Sequence, residues 1–227
     1  MSVKRRVALY GGTFDPVHLG HLEVARRIAE LFEIEKVLFV PAQIAPHKVT
    51  RAVTPPLHRY AMLVLATQGD PQMFVSTFEL DAPDRHYTVD TIAHFLSRFG
   101  DATELVFIMG ADSWSEITTW RDWERLLTMT SHIVVTRPGY DVGNEHVGAV
   151  LKDRIVDLRS VDSAAEKIQQ LSGGRIFVTD VVNKDISATE IRQIAKQGRF
   201  DDLINLVPQP VAEYIKKYGI YRDLHEA

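Results

Sequence analysis

The residues best suited to chemistry lie in one stretch near the start, Val7-Ala-Leu-Tyr-Gly-Gly-Thr-Phe-Asp-Pro-Val-His-Leu-Gly-His21. The apolar run Val7–Tyr10 predicts a buried strand, and a helical pattern begins at His18. The first turn of a helix has unpaired backbone N–H groups and a partial positive charge, which suit a phosphate. His18 and His21 are three residues apart, so both imidazoles should fall on one side of that turn as two potential cations.

Three glycines accompany these histidines. Gly11 and Gly12 are predicted to end the strand, and Gly20 lies in the first helical turn. Because glycine has no Cβ, we expect a bulky anion to approach the backbone closely at these positions. The simpler alternative is a strand, a turn and a helix with two surface histidines. If only the two adjacent glycines or only the two histidines were present, this alternative would be favoured.

A second stretch, Ile186-Ser-Ala-Thr-Glu-Ile-Arg192, also places anion-binding groups at the start of a helix. Ser187 and Glu190 have the spacing of a capping box, which by itself predicts only a well-capped helix. Thr189 and Arg192 add a hydroxyl and a guanidinium beside the same exposed N–H groups. The functional interpretation is a second site for phosphate.

Weaker candidates lie elsewhere in the chain. Lys48, in Pro46-His-Lys, falls in a predicted loop, where a lysine is usually a solvated charge. Arg137, in Arg-Pro-Gly, could reach a phosphate or form a surface ion pair. Three tryptophans lie close together in the sequence: Trp114, Trp120 and Trp123. For two of these three, a role in core packing is expected.

Alternating strands and helices predict an α/β fold, a doubly wound, Rossmann-like parallel sheet with a helical C-terminal portion. The ligand is then expected beyond the carboxyl ends of the strands. We predict one domain over 1–227, with its helical portion from about 186 to 227. The predicted strands are Val7–Tyr10, Lys36–Pro41, Met73–Leu80, Leu105–Gly110, Ile133–Thr136 and Arg175–Thr179. Helices are predicted from His18, from Thr54, and over Tyr87–Gly100, Ala164–Leu171, Ile186–Lys196 and Val211–Lys217. The apolar side of the helix from Thr54 is predicted to contain Leu57, Ala61 and Leu65, with Met62 as a further candidate.

Composition limits the function classes. The net charge is −4 and the sequence contains no cysteine, which argues against a broad nucleic-acid or anionic-membrane surface and excludes thiolate chemistry. The first residues carry no apolar signal segment, and no run of about eighteen apolar residues could span a membrane. These features predict a cytoplasmic enzyme; a homo-oligomer is left open.

The first stretch resembles the signature of the nucleotidylyltransferase superfamily, and its flanking residues resemble the nicotinate-nucleotide adenylyltransferase family. The second resembles that family's Ile-Ser-Ser-Thr-x-x-Arg signature, with Ala188 in place of the second serine. The resemblance implies that both segments hold the triphosphate of ATP. It implies catalytic roles for His18, His21, Lys48 and Arg192, and ATP binding by Gly11, Gly12, Thr13, Phe14, Gly20, Gly110, Asp112, Ile186, Ser187 and Thr189.

The same resemblance predicts the acceptor site. The family's Ser-Tyr-Thr segment is similar to Tyr87-Thr88, although His86 replaces the serine here, and its Thr-Trp element matches Trp120. Nicotinate mononucleotide is therefore expected at Tyr87, Thr88, Trp120, Arg121 and Arg137. No dedicated metal site is predicted, because Mg²⁺ is expected to be carried by the ATP phosphates.

The implied reaction is adenylyl transfer from ATP to nicotinate mononucleotide, giving deamido-NAD and pyrophosphate. Other acceptors, nicotinamide mononucleotide or phosphopantetheine, are alternatives, although His18 argues against the second. A class I aminoacyl-tRNA synthetase shares a His-x-Gly-His element, but this chain is short, acidic and without a Lys-Met-Ser-Lys-Ser segment. A non-catalytic nucleotide sensor is the alternative from a different class.

Overall fold

The computed structural model of the protein describes residues 4–43, 53–81, 87–136, 142–159, 174–182 and 186–222. Within these ranges, seven parallel strands form one sheet in the order β3-β2-β1-β4-β5-β7-β6. The strands are β1 Arg5–Gly12, β2 Lys36–Pro41, β3 Met73–Val75, β4 Thr103–Gly110, β5 Ser131–Val135, β6 Ile155–Asp157 and β7 Ile176–Thr179. The predicted doubly wound parallel sheet is confirmed.

Helices cover both faces of this sheet because successive residues of each central strand point to opposite sides. In β1, Ala8 and Tyr10 belong to one buried cluster, whereas Val7 and Leu9 belong to the other. Against the first face pack α1 Leu19–Leu31, α2 Pro56–Thr67, α7 Ala188–Lys196 and α8 Gln209–Tyr218. Against the second pack α3 Thr88–Phe99, α4 Ala111–Ser115, α5 Trp123–Met129 and α6 Ala149–Lys152.

The strand order places a topological switch point at the centre of the sheet. β1 pairs with β2 on one side and with β4 on the other, and the chain continues outward from β1 in both directions. At such a point the connections after the two strands diverge and leave a crevice at their carboxyl ends. The segment after Gly12 and the segment after Gly110 both begin at this crevice.

Several predicted elements need correction. β1 extends two residues beyond the predicted end at Tyr10, because Gly11 and Gly12 both pair with β2 through Val40 and Pro41, and it ends at Gly12. The predicted strand over Met73–Leu80 is wrong beyond Val75.

The end of β3 has a local cause. The Ser76 hydroxyl accepts a hydrogen bond from the Phe78 N–H, and the N–H groups of Leu80 and Asp81 both bond to the Thr77 carbonyl. These local bonds form a turn in place of the sheet ladder. The ring of Phe78 still packs on Phe95, which accounts for the apolar spacing in the sequence.

The predicted apolar side of α2 is wrong at Leu57, whereas Met62 is buried and Leu65 packs against the first core cluster. Leu57 is 76% exposed, and the fully buried side chains of this helix are Arg59, Met62 and Leu63. Residues 142–159, over which the sequence predicts no helix or strand, contain α6 and the short edge strand β6. A 3₁₀ helix at Phe200–Asn205 joins α7 to α8 and was not predicted.

The predicted helix at Ala164–Leu171 lies outside the described residues, as do Lys48 and Arg137. The division into domains stays a prediction. Across the described ranges, every helix is too short or too polar to cross a membrane.

Candidate active site

His18 and His21 face each other at the start of α1, as their spacing predicts. Their rings are stacked with centroids 3.6 Å apart and an interplanar angle of 28°. His18 is the N-cap residue, and its backbone N–H donates to Nδ1 of His21 at 3.2 Å. A ring nitrogen that accepts this bond carries no proton, which assigns the proton of neutral His21 to Nε2. In this geometry Nε2 of His21 is left as a hydrogen-bond donor, and the role of the two rings as potential cations stays a prediction.

The backbone N–H groups of this helix start are also largely occupied. The His18 N–H is bonded to His21, and the Leu19 N–H donates to the Leu206 carbonyl at 2.9 Å. The His21 N–H bonds back to the His18 carbonyl at 3.0 Å. A phosphate at this point would therefore meet fewer free N–H groups than a generic helix N-terminus offers.

The glycines of the first stretch have a packing role in the structure. A Cβ on Gly11 would lie 2.8 Å from the ring of Phe107, and one on Gly12 would lie 2.9 Å from the ring of Phe14. A Cβ on Gly20 would approach Nδ1 of His18 to 3.1 Å. The space beside each glycine is taken by the protein's own rings, so the phosphate contact predicted for these residues stays a prediction.

The second stretch lies directly against the first. The Arg192 guanidinium donates to the Asp15 carbonyl at 2.7 Å and to the Thr189 hydroxyl at 2.8 Å. Cβ of Ile186 lies 3.8 Å from the position that a Cβ on Gly20 would take. Two segments separated by more than 160 residues in sequence are thereby brought together.

The cap of α7 differs in detail from the predicted one. The Ser187 hydroxyl accepts from the N–H of Thr189, the second residue of the helix, at 3.2 Å. A capping box would instead bond it to the N–H of Glu190. Thr189 and Glu190 are exposed, so this helix start is open to solvent, whereas that of α1 is mostly buried.

Two further residues at the carboxyl edge of the sheet were not predicted from the sequence. Arg59, in α2, is only 1% exposed and donates to backbone carbonyls in the segments that follow β1 and β2. Tyr221 donates its hydroxyl to Oδ1 of Asp15 at 2.9 Å, and Asp15 is itself buried. The one signal in the sequence was an arginine within an otherwise apolar helix; nothing local indicated Tyr221.

The predicted acceptor side lies at the start of α3. Tyr87 is the N-cap residue and Thr88 the first helical residue. The guanidinium of Arg121 lies over the Tyr87 ring, 4.8 Å from its centroid, as a cation–π contact. Trp120 is partly buried against the second core cluster. The fold therefore brings Tyr87 and Arg121 into contact, although they lie far apart in the sequence.

The remaining tryptophans support the core. Trp114 is fully buried and donates from Nε1 to the Gly143 carbonyl at 3.3 Å. Trp123 also packs against the second core cluster. Gly110 is the exposed N-cap residue of α4, and Asp112 is exposed in that helix, both at the carboxyl end of β4 as predicted.

An acidic side chain, Glu79, lies between the predicted phosphate side and the predicted acceptor side. Glu79 accepts from the hydroxyl of Thr91, in α3, at 2.7 Å. Burial raises the pKa of Glu79 to about 7, against the opposing effects of this hydrogen bond and of the Arg59 charge. Within the part of the chain that the structure describes, no group of three or more acidic or histidine side chains could hold a metal ion.

The comparisons with known proteins agree with this geometry. Residues 9–194 match the family described as cytidylyltransferase-like. A protein of Thermoanaerobacter named probable nicotinate-nucleotide adenylyltransferase is 40% identical over 226 residues, covering 100% of this chain and 99% of that protein. A protein of the same name from Corynebacterium jeikeium is 36% identical, with 93% and 98% covered.

Among solved structures, the fold is similar to that of Plasmodium falciparum nicotinic acid mononucleotide adenylyltransferase complexed with NaAD. The TM-score is 0.69 at 18% identity, with 96% of this chain and 97% of that chain covered. The same Plasmodium protein complexed with APC gives a TM-score of 0.68. Taken with the two stretches that Arg192 joins at the carboxyl edge of the sheet, these similarities show that the chain belongs to the cytidylyltransferase-like family and, within it, to the nicotinate-nucleotide adenylyltransferases.

Proposed function

We propose that this enzyme transfers the adenylyl group of ATP to nicotinate mononucleotide, giving deamido-NAD and pyrophosphate. The observation that carries the proposal is the junction made by Arg192. Its guanidinium bonds at once to the loop before His18 and to Thr189 at the start of α7. A long polyphosphate needs donors spread over several ångströms, and the two joined helix starts offer such a set.

The reaction asks for positioning and charge neutralisation. The acceptor phosphate is anionic at neutral pH and attacks the α-phosphorus in line. The new O–P bond forms as the bond to the bridging oxygen breaks, and pyrophosphate leaves with the electron pair. No side chain needs to remove a proton from the nucleophile, so the main task is to stabilise charge on the leaving group.

The roles of the individual residues are part of this proposal and rest on the resemblance to the family. His21 donates its Nε2 proton to the reacting phosphates, and His18, against which it stacks, fixes its ring. Arg192 and Lys48 neutralise charge on the leaving pyrophosphate. ATP is proposed to lie against residues at the carboxyl ends of β1 and β4 and at the start of α7: Gly11, Gly12, Thr13, Phe14, Gly20, Gly110, Asp112, Ile186, Ser187 and Thr189.

The pyridine nucleotide is proposed to lie at the start of α3. Trp120 stacks on the ring, Thr88 donates to the carboxylate, and Tyr87 with Arg121 forms the neighbouring wall. Arg137 is proposed to reach the phosphate.

Mg²⁺ is proposed to enter on the ATP phosphates. The described carboxylates fit that arrangement, since Asp15 is buried and bonded to Tyr221 and no acidic cluster surrounds it. A cytoplasmic location and a homo-oligomeric state both stay predictions.

A pyrophosphate-release assay with ATP and several acceptors tests the function. Nicotinate mononucleotide should give pyrophosphate and deamido-NAD in equal amounts, with the product identified by mass. Nicotinamide mononucleotide and phosphopantetheine serve as competing acceptors, and omission of the acceptor gives the background. ATP binding without turnover on any acceptor would instead identify a nucleotide sensor.

A further inference from the structure

The residue that the proposed reaction leaves unexplained is Arg59. Its side chain is 1% exposed, so it cannot touch a ligand in the crevice. Within the described residues it forms no salt bridge, although burying an arginine without a carboxylate partner is costly. Burial lowers its pKa, while the charges of Asp15 and Glu79 act in the opposite direction. Such a group is expected where it makes many well-placed hydrogen bonds.

Arg59 donates to four backbone carbonyls in three segments. Nη1 bonds to Thr13 at 2.7 Å, just after β1. Nη2 bonds to Ala42 at 2.6 Å and to Gln43 at 3.2 Å, just after β2. Nε bonds to Thr54 at 2.9 Å, just before α2. The planar fork of one guanidinium therefore fixes the chain as it leaves two neighbouring strands of the sheet.

The bond to Thr13 acts on a backbone under strain. Phe14 has a φ of +49°, in the left-handed region that non-glycine residues rarely adopt. The Thr13 carbonyl belongs to the peptide that precedes this residue, and the Asp15 carbonyl, two residues on, is bonded to Arg192. The turn that leads to His18 is thus held by one guanidinium on each side.

We propose that Arg59 is a positioning residue for ATP. It sets the orientation of the turn Thr13–Asp15, and through this turn it places His18 and His21 against the triphosphate. The proposal rests on the adenylyl-transfer function above. It assigns the effect to the fork geometry and not to the charge alone, because all four acceptors are neutral carbonyls distributed over three segments.

Three substitutions separate these contributions. Arg59→Lys keeps the charge and loses the fork, Arg59→Gln keeps a short amide donor and loses the charge, and Arg59→Met keeps only the apolar stem. Arg98→Met, on the exposed end of α3, is the matched control. Thermal unfolding is measured for each, followed by two-substrate kinetics and by ATP titration without acceptor.

All three Arg59 variants, including the charged Lys, should remain folded and lose roughly tenfold to hundredfold in kcat/KM for ATP, because a displacement of about 1 Å at a reacting group has effects of this size. KM for nicotinate mononucleotide should change less than threefold, and the control should match the wild type.

Folded Lys or Met variants with wild-type kinetics for ATP would overturn the proposal. Failure of all three variants to fold would also overturn it, since Arg59 would then serve the fold alone. If the wild type shows no turnover, the proposed adenylyl-transfer function is rejected, but the ATP titration still tests the role of Arg59. A tenfold or larger loss of ATP affinity in the Arg59 variants supports the role, and an unchanged ATP affinity rejects it.

Discussion

The phosphate side and the acceptor side of the site are held in different ways. On the phosphate side, comprising Thr13–His21 and Ser187–Arg192, two guanidiniums hold backbone carbonyls and most of the first segment is buried. On the acceptor side, comprising Tyr87–Thr88 and Trp120–Arg121, the described link is a side-chain contact between Arg121 and Tyr87. The proposed triphosphate site is thus built on backbone held in place by the protein itself, whereas the proposed acceptor site is built on side-chain contacts.

The largest effect should come from the phosphate side. His21→Ala should lower kcat by about 10²–10³-fold without unfolding the protein, since donors that act in a transition state contribute factors of this size. His21→Gln should recover part of the loss, because its amide can replace the Nε2–H donor while remaining neutral. Arg27→Ala, on the exposed side of the same helix, is the control. Near-normal turnover by a folded His21→Ala enzyme would contradict the proposed role.

Arg192→Ala should have the next largest effect. It removes a charged donor, and hydrogen bonds to charged groups are worth about 1.5–3 kcal/mol. ATP affinity should fall by roughly tenfold or more, while affinity for nicotinate mononucleotide should stay nearly unchanged. Titration calorimetry with each ligand measures both, with Arg199→Ala on the exposed surface as control. Equal weakening of both ligands would remove the distinction between the two sides.

The acceptor side should show a smaller and more selective effect. Nicotinate mononucleotide should be preferred over its amide by about tenfold to hundredfold, because an amide facing only donors leaves its N–H₂ group poorly paired at about 1–3 kcal/mol. Thr88→Val should narrow this preference, whereas Trp120→Ala should raise KM for both acceptors alike. Values of kcat/KM for the two acceptors at fixed ATP test this. Equal values in the wild type would reject the assigned acceptor.

The smallest effect on activity is expected at Glu79, which lies between the two sides and for which the predicted change is in stability. Its pKa of about 7 lies above its ordinary value, so the folded protein binds this proton more tightly than the unfolded chain does. Its contribution to stability is complete below about pH 4.5 and is lost as the pH rises through 7. Glu79→Gln cannot ionise and keeps an acceptor for Thr91.

Because one pKa unit corresponds to about 1.4 kcal/mol, this substitution should raise the free energy of unfolding by up to about 3 kcal/mol at pH 8. The gain should vanish near pH 4.5. Urea unfolding of both proteins across this range measures the difference. A gain that does not vary with pH would show that ionisation of Glu79 is not its cause.

The sequence predicted best those features that depend on neighbours along the chain. The Lys36–Pro41 strand, the end of α3 at Gly100, which has a φ of +64°, and the capping role of Ser187 all follow from local residue types. The pairing of His18 with His21 also follows from helical spacing.

Features set by distant contacts could not be predicted. The role of Arg59 could not be predicted because its acceptors are backbone carbonyls in three separate segments. Every residue has a backbone carbonyl, so the residue types in these segments do not indicate the contact. The glycines were assigned to anion approach because the rings of Phe107 and Phe14, which fill their space, are placed by tertiary packing. Leu57 was assigned to the core because hydrophobicity alone does not fix which side of α2 faces the sheet.

The bond from Tyr221 to Asp15 has a consequence for synthesis of the protein. It joins residues 206 positions apart, and the bond from Arg192 to the same residue spans 177 positions. Neither contact can form before its C-terminal partner has been synthesised, and each then closes a long loop at a cost in entropy. While the chain is still emerging from the ribosome, its first strand and helix can form, but the triphosphate site cannot close. Competence to bind ATP should therefore arise late, only after the C-terminal helices have docked.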